Sequence, residues 1–289
     1  MAAENVLMQG KRSAGFVPLS DLPLTENFLF GETMSYEEPC KLFLDAVLKG
    51  IGGSVGKLVE VSKEKDLSDL KNGHGSRADV YARNQHRAQF DIEMQMENND
   101  DLFRRIRYYQ SALDRQSLKK NHKYKTLTDS FVIFICNFDF LGKGEAMYVL
   151  RQYDETTGTP CYDGPLAIIL NINYKNPGKA SKGLLEFLDY LRTNNCEKPQ
   201  GKLMKSVLAT LERVRSDGAV EGRYMSYLEK IQREREEAEH EGFQKGIREG
   251  ALKRAVELYL CNEVPLEAAV KFSGITKEEF LAAVNKQKN

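Results

Sequence analysis

At 289 residues the chain can bury a sizeable core, which predicts one main domain with an appendage. Its 42 basic and 42 acidic residues cancel, so the whole-chain charge predicts no polyanion partner and moves that question to local clusters. No run of about 18 apolar residues occurs, so no transmembrane helix is expected. The five scattered cysteines form no C-x-x-C pair, which argues against a zinc site and for a reducing cytoplasm.

Residues 1–18 lack a continuous apolar core and read as a mobile leader, not a secretory signal. Residues 19–195 carry the mixed helix and strand signals of a main domain, and 196–289 read as a helical C-terminal region. Pro18 to Gly31 holds turn residues followed by the apolar cluster Phe28, Leu29 and Phe30. Leu42, Phe43, Ala46 and Val47 predict a helix over 39–49, stopped by Gly50, Gly52 and Gly53. Leu58 to Val61 is a short strand candidate, and 63–76 is polar and glycine-punctuated, as in a surface loop.

Arg77 to Gln95 reads as two strands around a short polar connection. Alternation places Asp79 and Tyr81 on one face of the first strand. In the second strand it places Asp91, Glu93, Gln95 and Glu97 opposite Phe90, Ile92, Met94 and Met96. If the strands pair, Asp79 meets Glu93 and Gln95, and two carboxylates with an amide converge at a sheet edge. That donor set suits a hard cation. Asp91 and Glu97 share the acidic face and read as solvated.

Asn98 or Asn99 is the expected cap of the next helix, with Asp100 and Asp101 in its first turn. Leu102, Ile106, Tyr109 and Leu113 form its core stripe. Ser130 to Phe138 is a β-rich apolar run, hence a strand buried on both faces. Strands are also expected over 146–153 and 166–174. Leu184 to Leu191 and Leu203 to Leu211 predict amphipathic helices, and Asp217-Gly218 interrupts the second. Residues 219–260 read as one long helix or two stacked ones, with a nearly apolar-free middle at 232–241. Gly242, Gly246 and Gly250 lie among charges there, as in a flexible or weakly associating helix. A short helical pair ends the chain, with Gly274 at its turn and Thr276 with Glu279 as a capping box. The acids at 278–279 would repel phosphate, so this pair reads as a packing or protein-contact module. The four histidines are isolated and receive no role, and four of the five cysteines, beside apolar residues or in loops, read as packing residues.

An acid on one strand, E-x-Q on its neighbour and a helix after them resemble the PD-(D/E)XK nuclease core. The wider set TENFLFGETMSYEEPCKLFLDAVL, SRADVYA, FDIEMQ, FRRIRYYQSALD and SFVIFICNFD is similar to the Rpn family of recombination-promoting nucleases and transposases. This match runs from about Leu24 to Asp139 and continues more weakly to about Leu191. The tail EGFQKGIREG also resembles that family. The resemblance implies an α/β restriction-endonuclease-like fold, a mixed sheet flanked by helices. It also implies a DNA endonuclease using one or two Mg²⁺ ions. On this sequence it makes Asp79, Glu93 and the Met94 carbonyl the metal ligands, sets Gln95 in the lysine position, and offers Glu26 as a first-helix acid.

The residues add physical content to that implication. Two carboxylates are what Mg²⁺ takes from a protein. Gln95 can orient a water but carries no charge, so a second Mg²⁺ or Arg105 must supply one. Arg105 follows the motif strand and is expected to contact the scissile phosphate. Arg104, Arg105, Arg107, Arg115, Lys119, Lys120, Lys123 and Lys125 face the single acid Asp114 within 104–125, interleaved with Tyr108, Tyr109 and Tyr124. Such a cluster predicts sequence-independent, salt-sensitive phosphate binding to DNA. Two other readings stay open: a nuclease fold that binds DNA without cutting it, and a scaffold assembling through its helical tail, where a homodimer would form.

Overall fold

The computed structural model describes residues 17–67, 77–118, 121–161 and 164–288. Six strands form one mixed sheet: β1 (Leu58–Asp66), β2 (Arg77–Asn84), β3 (Gln89–Gln95), β4 (Ser130–Cys136), β5 (Met147–Leu150) and β6 (Pro165–Asn171). Their order is β1-β2-β3-β4-β6-β5. β1, β2 and β3 form an antiparallel meander, β3, β4 and β6 run parallel, and β5 returns antiparallel at the far edge. Eight helices are present among the described residues: α1 (Asn27–Met34), α2 (Glu37–Lys49), α3 (Leu102–Ser117), α4 (Lys182–Thr193), α5 (Lys202–Ser216), α6 (Gly218–Leu260), α7 (Leu266–Ser273) and α8 (Lys277–Lys288). A mixed sheet flanked by helices is the architecture implied by the sequence.

The order of the strands follows from their composition. SFVIFIC has no polar face, so β4 sits inside the sheet with β3 and β6 on either side and a helix over one face. Because β3 and β4 are parallel, a crossover must join them, and α3 supplies it. Leu102, Ile106 and Leu113 of α3 pack onto Tyr81, Val132, Phe134, Ala167 and Ile169 on one sheet face. On the opposite face Val80, Phe90, Ile92, Ile133, Ile168 and Leu170 are buried. α1, α2, α4 and α5 pack on one another, with α1 also against β1 and β2.

Several expectations change. The apolar cluster at 28–30 is part of helix α1, because Leu29, Phe30 and Met34 recur at helical spacing and are buried. β1 extends to Asp66, well into the segment expected as a loop, since pairing with β2 satisfies its backbone through Asp66 and Arg77. Residues 68–76 of that loop lie outside the described residues. The cap of α3 is Asp101, not Asn98 or Asn99. β2 and β3 occupy interior positions of the sheet, so their acids do not lie at its lateral edge. Cys40 and Cys136 are buried as packing residues, whereas Cys161 and Cys261 are exposed.

The chain forms two compact units, 1–222 and 223–289. α5 packs on α1, α2 and α4 and so belongs to the first, which moves the division beyond the expected residue 195. In the second unit Ala255 and Val256 of α6 pack with Ala269 of α7 and with Phe280 and Val284 of α8. Gly274 turns between α7 and α8 at φ +71°, a left-handed conformation that glycine adopts without strain. The capping box forms as the spacing predicts. Glu279 N–H donates to Thr276 Oγ1 at 3.3 Å, and Thr276 N–H donates to Glu279 Oε2 at 3.0 Å.

Candidate active site

Strand pairing brings the acids together. β2 and β3 are antiparallel with Val80 opposite Ile92, so the next step of the register sets Asp79 opposite Glu93. Here side chains take over from the backbone ladder. The Asp79 N–H donates to Glu93 Oε1 at 3.0 Å, and the Met94 N–H donates to Asp79 Oδ2 at 2.9 Å. Each carboxylate is thus fixed by the backbone of the other strand, where β2 begins and β3 ends. An extended residue sends its N–H and C=O to the same flank, so the Met94 carbonyl lies on the Asp79 side.

Arg105, in the first turn of α3, closes the group. Its Nη2 donates to Glu93 Oε2 at 3.2 Å and its Nη1 donates to Gln95 Oε1. The guanidinium carbon lies 5.0 Å from the Phe134 ring centre, within cation–π range. The Gln95 Nε2 donates to the Glu97 carbonyl at 2.6 Å. Both ends of the Gln95 amide are therefore engaged. Instead of standing free to orient a water, Gln95 holds Arg105, and Arg105 brings a positive charge beside the acid pair.

Asp91 is the residue that sequence reasoning misplaced. It is 0 % exposed, not solvated. It sits opposite Tyr81 on β2 and Val132 on β4, two residues behind Glu93 on the face that α3 covers. No donor among the described residues reaches either of its carboxyl oxygens. The polar group beside it is the Glu93 carboxyl, which donates only when protonated. Burial, then the Asp79 charge, pushes Asp91 well above the usual carboxylate range. Burial, then Asp91 and Asp79, does the same to Glu93. Burial raises Asp79 to about 6 from 3.8, although the Met94 N–H and Arg105 pull it down.

This site demands positive charge. Three carboxyls are crowded in a desolvated space, two of their oxygens lack any donor, and Arg105 offsets only part of the charge. The donors are all oxygens, which suits Mg²⁺ and not a soft metal. Among the described residues no three His, Cys, Asp or Glu side chains form a cation cage. A carboxylate pair with one carbonyl is the sparse set that leaves the remaining positions of a hard cation to water and phosphate.

Residues 27–241 match the family model described as PD-(D/E)XK nuclease family transposase. The chain belongs to this family. No curated protein and no solved structure matches it.

As a PD-(D/E)XK family member the chain has its acid pair where β2 and β3 meet, and the other expected site residues divide around it. Glu26 is exposed at the N-cap of α1, and its side chain makes no hydrogen bond among the described residues. The buried acid of that helix is Glu32, paired with Lys63. Lys63 faces Val80, on the sheet side away from Asp79, so α1 brings no acid into contact with the pair. The α3 residues do gather. Arg104, Arg105, Arg107, Tyr108 and Ser111, with Asn99, line an open cleft of about 810 Å³. Arg104, Arg107 and Arg115 are exposed, the first two about one helical turn apart and the third about two turns further on, on the side opposite the buried stripe. Lys123 and Lys125 are exposed around a short 3₁₀ turn at Tyr124–Thr126. Lys119 and Lys120 lie outside the described residues.

The raised Asp79 carries a stability consequence. The folded chain binds this proton more tightly than the unfolded chain does. That contribution is fully present below about pH 4 and is lost as pH rises through about 6. Asp79→Asn is therefore expected to melt higher than the parent at pH 8 in chelator, with the difference shrinking toward pH 4. Thermal scans across that range check it. An unchanged or lower melting temperature at pH 8 contradicts the placement of Asp79 as a buried, charge-strained acid.

Proposed function

We propose that the chain is a Mg²⁺-dependent DNA endonuclease acting in recombination or transposition, as its resemblance to the Rpn nucleases implies. The observation that carries this reading is the buried Asp79–Glu93 pair, cross-fixed by the opposite strand's backbone and faced by Arg105 beside a basic cleft. Asp79, Glu93 and the Met94 carbonyl would hold one or two ions. When bound, the cation activates a water and neutralises charge on the phosphate under attack.

The chain's own residues do the rest. Asp79 and Glu93 are held by backbone N–H groups, so their oxygens stay oriented without substrate. Arg105 spends donors on Glu93 and Gln95 and has others left over for a phosphate oxygen. Gln95 keeps that guanidinium in place, which is its role where the superfamily motif has lysine. Arg104 and Arg107 in the cleft, with the exposed Arg115 and Lys123 outside its lining, grip backbone phosphates and read no bases. The protein works in the cytoplasm, where the cell's DNA is within reach, and two copies joined through the helical tail would cut both strands.

Replacing Arg104 and Arg107 together by Ala is expected to weaken binding to unrelated duplexes alike. It should also lower the salt slope of binding by about 2, one phosphate contact each. Fluorescence anisotropy over a salt series measures both. An unchanged slope would remove these arginines from the DNA surface. A second reading, DNA binding without cleavage, draws on one observation: an uncharged Gln95 in the lysine position.

A further inference from the structure

Every residue of α6 from 233 to 250 is exposed, which leaves five turns of helix without cover. Phe243 and Ile247 lie one turn apart there and are 66 % and 51 % exposed. A helix that displays a large aromatic and a β-branched residue on one stripe has an unpartnered face.

The charge pattern identifies what covers it. Residues 229–241 carry six acids and three bases, and 242–254 carry four bases and one acid. The two segments have equal length and opposite net charge. A second copy of the same helix, laid antiparallel about Lys245, sets the four acids of 236–241 against 249–254, where Lys253 and Arg254 outnumber Glu249. A parallel copy sets like against like.

The seam has a definite register. Glu236, His240, Phe243, Ile247, Gly250 and Arg254 recur at alternating steps of three and four, the spacing of a coiled-coil stripe. A two-fold axis at Lys245 pairs Phe243 with the partner's Ile247, His240 with the partner's Gly250, and Glu236 with the partner's Arg254. Every layer of that register is complementary. The apolar pair meets twice at the centre, the largest polar ring meets a glycine, and the outer layers are ion pairs. Gly250 has open space above its Cα, so a facing ring can approach. The intrahelical ion pairs Lys230–Glu234 and Lys245–Glu249 lie off this stripe, and the partners its end residues already have are exposed and exchangeable: Gln232 Nε2 donates to Glu236 Oε1 at 2.7 Å, and Arg254 lies 3.6 Å from Glu257.

We propose that α6 self-associates as an isologous antiparallel pair centred on Lys245, over about 27 Å from Glu236 to Arg254. This rests on the tail-mediated dimer proposed above and specifies its orientation and register. Each chain contributes Phe243 to the interface, so Phe243→Ala is expected to raise the dimer dissociation constant about tenfold or more.

Orientation is tested by cross-linking the full chain in a Cys161→Ser, Cys261→Ser background. His240→Cys and Gly250→Cys are made as separate variants, with circular dichroism confirming the helix. The expected result is that neither variant alone forms a disulfide-linked dimer under mild oxidation, whereas their mixture does. Linkage within each single variant means a parallel pair and overturns the proposal while sparing the tail dimer. A dimer by sedimentation with no linkage in the mixture places the interface elsewhere and overturns it too. A monomer at all concentrations overturns both.

Discussion

Glu93→Ala and Asp79→Ala are each expected to reduce DNA cleavage about 10³-fold or more while leaving DNA binding within a few-fold of the parent. The carboxylates are the charged oxygen donors of the pair, and the water activation and charge neutralisation they would support are worth several kcal/mol. The two substitutions are not equivalent structurally. Glu93 Oε1 accepts the Asp79 N–H and Asp79 Oδ2 accepts the Met94 N–H, so each alanine also frees one backbone donor of the other strand. Asp79→Asn and Glu93→Gln keep that geometry and lose the charge. They should therefore lose cleavage as fully as the alanine variants, with no loss of thermal stability. Initial rates on plasmid and anisotropy on a short duplex, measured on the same preparations, separate the two effects. Parallel losses in binding and cleavage would make the acids structural elements of the DNA surface and not catalytic ones.

Arg105→Ala is the second large effect, with cleavage expected to fall about 10²–10³-fold, the range seen when a single donor to developing charge is removed. Arg105 links Glu93, Gln95 and the Phe134 ring, and it is the cation that the E-x-Q motif lacks in its own sequence. Arg105→Lys restores the charge but not the planar fork that reaches two partners at once. It is expected to recover only part of the rate. Gln95→Lys is the informative companion. A lysine there would stand in the superfamily's usual position, and on an Arg105→Ala background it should recover activity that Arg105→Lys alone does not. Cleavage that is unaffected by Arg105→Ala would remove the role assigned to the guanidinium.

Much of this site was legible in the sequence because strand alternation is strict. Asp79, Glu93 and Gln95 could be set on one face from the period of two alone, and the resemblance supplied their chemistry. The stripe Leu102, Ile106, Tyr109 and Leu113 likewise announced a helix that must cover a sheet face. The same pattern misleads at Asp91. Alternation says which face a residue takes, not whether a helix lies over it, and α3 covers the acid face behind Glu93. The signal was present in the order of elements. A helix joining two parallel strands packs on their sheet, so an acid deeper along that face is buried. The sequence offers Gln95 only a water, because its amide partners come from Glu97 and from a helix ten residues away, and neither contact has a periodicity. The exposed position of Glu26 is illegible for a similar reason. The turn before α1 leaves it exposed at the helix start, and the spacing of a sequence does not show which side of a sheet a helix joins.

The division of the tail was the least legible part. The apolar stripe Leu203, Val207 and Leu211 looks the same whether it covers the main core or opens a separate region. It covers the main core. The long exposed run in α6 was visible as a polar helix, but the antisymmetry of its charges has meaning only once it is known to be one unbroken helix.

The most direct test of the central claim is a time course on supercoiled plasmid with purified full-length protein, in Mg²⁺ and in EDTA, beside Glu93→Gln. Conversion of supercoiled to nicked or linear DNA in Mg²⁺, halted by EDTA and absent in Glu93→Gln, is the predicted result. Plasmid that is bound but stays uncut in Mg²⁺, or cutting that persists in EDTA or in Glu93→Gln, would contradict a metal-dependent nuclease site built on Asp79, Glu93 and Arg105.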